Sequence, residues 1–266
     1  MRVRVPVQVL LALLSLCVAA VAHAGESAVP RILERGTLVV GTSGNMPTMS
    51  FIDDQGRPAG FDIDLARIMA DVMETRLEIR VMPFADLLPA LGRGEVDMVI
   101  SNLTITPRRN LEVSFVGPYM TSGKCVVSRD QRLSKPDGSQ DVNTAETTLA
   151  VLAGSTSEDF ARELLPQATL LRINSYPEGV RLLLEGKATG MLTDYPVCLA
   201  TLKENPDAGL ESVFSRLTYE PIGIALPAGD ARFINFAEHL LERLDQTGAL
   251  EELARRWFGQ KALAQD

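Results

Sequence analysis

The chain has 266 residues, a formal net charge of −8 at pH 7, three cysteines and two histidines. An acidic chain without a basic cluster argues against nucleic acid and anionic membranes as partners. His239 is the only histidine beyond the N-terminal leader, which argues against a Ser-His-Asp triad and a histidine-rich metal site.

The first residues have the pattern of an export signal. Arg2 and Arg4 give a positive start, Val7–Val21 is apolar, and Ala22–Ala24 is a small-x-small cleavage site. We predict a signal peptide over residues 1–24, cleaved after Ala24, and a periplasmic mature protein with a net charge of −10. The alternative is a lipoprotein attached at Cys17, which the large Leu16 before it disfavours. No later apolar run is long enough to span a membrane.

The mature part alternates between short apolar runs and helical patterns. Predicted strands are 37–41, 77–81, 96–100, 148–152, 169–173 and 189–193; predicted helices are 29–35, 60–73, 85–91, 177–185, 196–204, 230–247 and 250–258. Strands that alternate with helices favour an α/β fold with mostly parallel sheets. Residues 129–146 are poor in apolar side chains and are predicted to be an exposed loop or an irregular helix.

Two acidic residues, Asp62 and Asp64, stand at the start of the predicted helix in 60–73. Paired carboxylates are compatible with acid–base or metal chemistry, but no second acidic or histidine cluster lies nearby. We therefore predict that they cap the helix, because negative charge is favourable at a helix N-terminus.

The stretch Ser101–Arg109 follows an apolar strand and has the most informative pattern in the chain. We predict a polar turn at the strand end, with Thr106 as N-cap and Pro107 as first residue of a helix. Ligands of open α/β sheets bind beyond the carboxyl ends of the strands. Arg109 in that place suits a carboxylate, because its fork of N–H donors matches two oxygens. The alternative is a capped helix with a surface arginine.

A second region repeats this organisation. The segments 90–101 and 183–194 both run from a helix through a glycine break and a short strand into polar residues. The segment 154–160 combines a glycine turn with a helix start, which offers free N–H groups to an anion. The repetition predicts two similar lobes that share one cleft. Cys125 and Cys198 are either a disulfide or two buried thiols, because sequence does not supply the geometry.

Several motifs together resemble the polar-amino-acid family of bacterial extracellular solute-binding proteins. These are G-F-D-I-D-L-A at 60–66, L-L-P-A-L-G-R-G-E-V-D at 87–97, T-I-T-P-R-R at 104–109, F-V-G-P-Y at 115–119, G-S-T-S-E at 154–158, T-D-Y-P at 193–196 and R-W-F-G at 256–259. The resemblance covers nearly the whole mature chain. It implies a Venus-flytrap fold, in which two mostly parallel-sheet lobes are joined by two hinge strands.

The resemblance also implies where the lobes begin and end. Lobe 1 would hold residues 28–119 and 221–266, and lobe 2 would hold residues 124–216. The crossings would lie near 120–124 and 217–223. The protein would be a monomer without cofactor or metal that delivers an amino acid to an inner-membrane ABC permease.

Carried over residue by residue, the resemblance assigns the ligand contacts. Arg109 would pair with the α-carboxylate, helped by Thr156 and its N–H. Asp194 would take the α-ammonium, helped by the Thr104 hydroxyl and the Asn102 carbonyl. Donors at one end and acceptors at the other suit a zwitterion.

The family pattern changes at positions expected to set specificity. Met46 stands where relatives often have an aromatic ring, Phe84 would supply one wall, and Ser43 is neutral where binders of basic amino acids tend to carry an acid. These changes favour an uncharged or modestly apolar amino acid. The alternative function is a periplasmic dehydratase acting on prephenate or arogenate, for which Glu158 is the candidate general acid.

Overall fold

Strands and helices alternate along most of the chain. The computed structural model describes residues 27–130, 133, 142–213 and 218–259. The predicted signal peptide with its cleavage site, and most of the predicted loop 129–146, lie outside the described residues. Within the described part, no helix combines the length and the apolar character that crossing a membrane requires.

The secondary structure follows the predicted order with shifted bounds. The strands are β1 Thr37–Thr42, β2 Asn45–Met46, β3 Ser50–Ile52, β4 Pro58–Ala59, β5 Arg76–Val81, β6 Met98–Thr104, β7 Ser114–Ser122, β8 Lys124–Ser128, β9 Thr148–Leu152, β10 Thr169–Ile173, β11 Gly190–Asp194, β12 Glu211–Val213 and β13 Glu220–Leu226. The helices are α1 Ala28–Arg35, α2 Phe61–Val72, α3 Leu87–Gly92, α4 Thr156–Leu164, α5 Tyr176–Leu184, α6 Tyr195–Glu204, α7 Ala231–Gln246 and α8 Ala249–Phe258, with short 3-10 turns at Phe84–Asp86 and Arg109–Leu111.

The described strands form two five-stranded sheets, which confirms the predicted two-lobe α/β fold. Sheet 1 has the order β5-β1-β6-β13-β7, and sheet 2 has the order β10-β9-β11-β8-β12; a small sheet β2-β3-β4 accompanies the first. Each large sheet has a parallel half and an antiparallel half. We call the part built on sheet 1 lobe 1 and the part built on sheet 2 lobe 2.

The chain passes between the lobes at the antiparallel halves of the two sheets. The first passage lies between β7 and β8, where Gly123 alone separates the two strands. The return lies between β12 and β13, and residues 214–217 of it are outside the described residues. The first residues of β8 and β13, Lys124 and Glu220, therefore stand at the junction of the lobes.

Helices bury their apolar faces against the sheets. In α2, Phe61, Leu65 and Met69 are buried, and in α7 the buried side chains include Phe233 and Leu240. Burial of each such side chain stabilises the fold by roughly 2 kcal/mol. This packing holds the strand ends, and with them the polar residues between the lobes, in fixed positions.

Two of the local predictions for the central stretch are wrong. Residues 101–104 belong to β6 itself rather than to a turn, because β6 gains a partner in β13, with Thr104 opposite Ile222. No α-helix follows Thr106; a 3-10 turn of three residues forms at Arg109–Leu111. Thr106 still accepts a hydrogen bond from the Arg109 backbone N–H at 3.2 Å.

The two cysteines left open by the sequence are joined. Cys125 on β8 and Cys198 on α6 form a disulfide with 6.6 Å between their Cα atoms. Both are buried in lobe 2. Export is compatible with such a bond, because the periplasm is oxidising.

Candidate functional site

Polar side chains from both lobes meet between the sheets. Asn102 of β6 donates its side-chain N–H to Asp194 Oδ2 of β11 at 2.9 Å. The Thr104 and Thr156 hydroxyls lie 3.4 Å apart. Both pairs join lobe 1 to lobe 2, so the structure has a closed cleft at this place.

Arg109 lies on the lobe 1 side of the cleft. Its guanidinium donates to the Thr104 carbonyl at 2.8 Å and, across the cleft, to the Gly154 carbonyl at 3.1 Å. The Phe84 ring lies beneath it, 5.7 Å from guanidinium carbon to ring centroid. Partial burial lowers the pKa of Arg109, but an arginine keeps its charge throughout the physiological range.

Asp194 ends strand β11 and is buried. Besides Asn102, its partner is the ammonium of Lys124, whose Nζ lies 2.6 Å from Oδ1. The two residues are direct neighbours across the antiparallel pair of β8 and β11. This register places opposite charges side by side.

Lys124 is a cleft residue that the sequence patterns did not identify. Its Nζ donates to Thr156 Oγ1 at 2.6 Å and lies 3.3 Å from Glu220 Oε2, and its side chain is 1% exposed. The available signal was a single charge at the start of the apolar run K-C-V-V, just after the crossing glycine. That signal does not reveal which way the side chain points.

Glu220 is the second cleft residue that sequence reasoning missed. It accepts hydrogen bonds from Thr156 at 3.1 Å and from Thr218 at 2.8 Å. Burial, the largest influence, acts to raise the pKa of Glu220, but the Lys124 ammonium and the hydroxyl hydrogen bonds together hold it below its usual value. The side chain is therefore an anion at neutral pH.

Helix α4 begins at Thr156, and Ser155 is its N-cap. The Ser155 hydroxyl accepts from the Glu158 N–H at 3.2 Å, which is the usual hydrogen bond of a helix N-cap. Glu158 accepts from the Gly154 N–H at 2.8 Å, and its other oxygen pairs with Arg162 and Arg172 at 2.5 and 2.8 Å. Both carboxylate oxygens of the candidate general acid are thus engaged by donors that suit an anion.

The remaining predicted residues, Ser43, Met46 and Phe84, are buried in lobe 1. Ser43 follows β1, is buried, and is bonded through its N–H to the Ser101 hydroxyl at 3.0 Å. Met46 is buried in the hydrophobic core. Phe84 belongs to the same core and also contacts Arg109.

Asp62 does not cap α2 as predicted. Its carboxylate is buried and accepts from the Asn102 backbone N–H and from the Tyr119 hydroxyl, both at 2.8 Å. Asn102 has a positive φ of 46°. The carboxylate therefore holds the backbone from which the Asn102 side chain reaches across the cleft. The described residues contain no group of three or more side chains that could hold a metal ion.

Comparison with known proteins identifies the family. The model for "Bacterial extracellular solute-binding proteins, family 3" matches residues 38–260. The chain belongs to this family.

Relatives of this family 3 solute-binding protein include both binders and an enzyme. A probable amino-acid ABC transporter-binding protein of Haemophilus influenzae is 26% identical over 89% of this chain and 90% of its own length. A cyclohexadienyl dehydratase of Pseudomonas aeruginosa is 27% identical over 93% of this chain and 92% of its own. A crystal structure of an ancestral amino acid-binding protein, a precursor of cyclohexadienyl dehydratase, has 33% identity and a TM-score of 0.81, covering 88% of this chain and all of that one.

Proposed function

We propose that this solute-binding protein captures a small amino acid between its lobes and delivers it to an inner-membrane ABC importer. The charge pattern of the cleft carries the proposal. Within the described residues, Arg109 has carbonyl partners and no ion pair, whereas Asp194 and Glu220 share one ammonium, that of Lys124. A zwitterion supplies the anion that Arg109 lacks and the cation that the two carboxylates lack.

Each end of the ligand then has its own partners. The α-carboxylate pairs with Arg109 and with the Thr156 N–H at the start of α4, where backbone donors favour an anion. The α-ammonium goes to Asp194, with the Thr104 hydroxyl and the Asn102 carbonyl as further acceptors. Phe84, Met46 and Ser43 belong to the lobe 1 side that receives the side chain, a set favouring an uncharged ligand.

The lobes move relative to each other in this proposal. We assign residues 28–119 and 221–266 to lobe 1 and residues 124–216 to lobe 2. Arg109 and Asp194 then stand on opposite lobes, so a ligand bonded to both favours the closed state by its differential affinity for it. The mature protein, cut after Ala24, acts as a periplasmic monomer and needs no cofactor.

Binding rather than catalysis is favoured by the environment of Glu158. Its carboxylate is held by two arginines and a backbone N–H, so it has no free position from which to give a proton to a ligand. The alternative function, a dehydratase, therefore lacks Glu158 as its general acid.

A thermal-shift screen of purified, ligand-stripped mature protein tests the function. The panel holds the common amino acids, simple carboxylates, prephenate and arogenate. We expect a raised midpoint with a few uncharged amino acids, since a ligand at 100 times its Kd adds about 2.7 kcal/mol to stability. If no amino acid raises the midpoint, and prephenate or arogenate is bound and consumed, the protein is the enzyme instead.

Uptake assays test delivery. A strain that lacks the protein should lose high-affinity uptake of the amino acid identified in the screen, and the gene supplied in trans should restore it. Unchanged uptake would separate binding from transport.

A further inference from the structure

The ammonium of Lys124 occupies acceptors that a ligand ammonium would need. It contacts Asp194 and Thr156 at 2.6 Å each and Glu220 at 3.3 Å. An ammonium group has three N–H donors, so these three contacts use them all. The side chain is 1% exposed, so water does not compete for these partners. An incoming ammonium at Asp194 would place two positive charges on one carboxylate, while Glu220 would keep only the 3.3 Å contact to Lys124.

The cleft contains a second carboxylate for the displaced lysine. Glu220 is already within ion-pair distance of Nζ, and it is anionic because Lys124 and nearby hydroxyls offset the effect of its burial. The lysine stem has four rotatable carbons, so a small rotation transfers the ammonium without backbone movement. Asp194 and Glu220 are two buried carboxylates that share the single ammonium of Lys124, so a second cation would neutralise the pair.

We infer that Lys124 is an internal substitute for the ligand's ammonium and that Glu220 receives it when an amino acid binds; the inference rests on the proposed function. In the unliganded closed cleft Lys124 neutralises Asp194. In the liganded cleft the α-ammonium takes Asp194 and Lys124 pairs with Glu220 alone. Every charge then has one opposite partner, with the ligand carboxylate on Arg109.

A buried acceptor beside Asp194 supports this exchange. Asn102 Oδ1 is buried and has no hydrogen-bond partner among the described residues, although the same side chain donates to Asp194 at 2.9 Å. An unsatisfied buried oxygen is unfavourable. An ammonium at Asp194 Oδ2 would lie next to it and supply the missing donor.

Calorimetric titration with matched ligand pairs tests the inference. Each pair is an amino acid and its 2-hydroxy acid, which lacks the ammonium: valine with 2-hydroxyisovalerate, leucine with 2-hydroxyisocaproate, phenylalanine with phenyllactate. The variants are Glu220→Gln, Lys124→Met and the double variant, which keeps the net charge of the cleft. Lys187→Met is the control, because Lys187 is exposed and pairs only with Glu185 in the described residues.

Glu220→Gln should weaken amino-acid binding by about tenfold or more, because Lys124 then has no second anion and stays on Asp194. It should change binding of the 2-hydroxy acid by less than about threefold, because that ligand does not need Asp194. The double variant should return amino-acid affinity to within about threefold of wild type, because no lysine remains to be displaced. The control should match wild type with both ligands.

Other results overturn the inference. Equal losses for both ligands in Glu220→Gln, or a double variant as weak as Glu220→Gln, would make Glu220 a structural or direct ligand residue. Should Glu220→Gln alone not fold, the charge-neutral double variant decides, and a tenfold or larger loss there contradicts the exchange. A folded wild type that binds no amino acid contradicts the proposed function itself, before any variant is made.

Discussion

Arg109, on the lobe 1 side of the cleft, has N–H donors that are not used by the carbonyl partners described above. Two of its five N–H groups reach the carbonyls of Thr104 and Gly154, and the flat guanidinium rests on Phe84. These contacts orient the fork without neutralising it. In the proposed function, a ligand carboxylate would meet a charge that is already in position, which reduces the entropy that binding costs.

Replacing Arg109 by alanine should lower amino-acid affinity by about 100-fold, or roughly 3 kcal/mol, because the ligand carboxylate loses its charged partner. Titration calorimetry measures the loss, and a melting curve checks that the fold is kept. Arg108→Ala is the matched control, because Arg108 is exposed one residue away. Retained affinity would remove Arg109 from the site, and an unfolded variant would make it structural.

The ionisation of Asp62, whose carboxylate holds the Asn102 backbone, makes the stability of the fold depend on pH. Burial raises the pKa of Asp62 to about 7, against the lowering effect of its bonds from Tyr119 and Asn102. The folded state therefore binds a proton that the unfolded state releases between about pH 4 and pH 7. Because the pKa of an acid is raised on folding, the stability from this group is largest at low pH and falls as pH rises.

Wild type should therefore lose roughly 3 kcal/mol of unfolding free energy relative to Asp62→Asn between pH 5 and pH 8. Urea titrations of both proteins at several pH values measure this difference. The asparagine variant should show a constant offset, from its changed hydrogen bonds, without this slope. Parallel pH profiles for the two proteins would contradict a raised pKa.

At the scale of elements, the loop between β9 and α4 forms the floor of the closed cleft. Gly154 has φ +76°, and a Cβ there would lie 3.0 Å from the Cβ of Ala85 in the other lobe. Gly186 has a similar φ of +69°, but its added Cβ would meet nothing within 4 Å. The two glycines share a left-handed backbone conformation, and of the two only Gly154 lies against the opposite lobe.

Gly154→Ala and Gly186→Ala should each destabilise the protein by about 1 kcal/mol, because alanine is strained at positive φ. Only Gly154→Ala should also weaken ligand binding, by about tenfold, because its methyl group holds the lobes apart. Melting curves and calorimetry together separate the two effects. Equal ligand affinities in the two variants would show that the Gly154 contact does not limit closure.

At the scale of the whole molecule, polar contacts of the cleft join the two lobes. Asn102 with Asp194 and Arg109 with Gly154 bridge the cleft, and each pair couples a lobe 1 strand end to a lobe 2 loop or strand. In the proposed function, a ligand that bridges the lobes shifts the balance between open and closed states by its differential affinity for the closed state.

Small-angle X-ray scattering should show a smaller radius of gyration when the identified amino acid is added to wild type. Gly154→Ala should keep a larger radius at the same ligand saturation, because its lobes do not close fully. An unchanged radius in wild type, together with tight binding, would mean that the unliganded protein is already closed. The cross-lobe bonds from Asn102 to Asp194 and from Arg109 to Gly154 would then be the contacts that keep it closed.

Much of the fold was predictable because its signals are local. Apolar runs and glycine breaks placed most strands and helices to within a few residues, and Asp194 does end a buried strand. The turn predicted at 101–104 failed because the strand continues where β13 pairs with it. Asp62 was misread for the same kind of reason, since its partners, Asn102 and Tyr119, are 40 and 57 residues away.

The sequence by itself determined the two-lobe α/β fold and the family, because the motifs follow one order over almost the whole chain. It also marked Arg109 and Asp194 as candidates by their place beside strand ends. Only the tertiary structure decided which side chains pair. Lys124 forms ion pairs with Asp194 and Glu220, and Cys125 forms a disulfide with Cys198. Those pairs depend on strand register and on the junction of the lobes, which bring together residues 70 to 96 positions apart. Local sequence patterns record propensity and periodicity, and they do not record such distant neighbours.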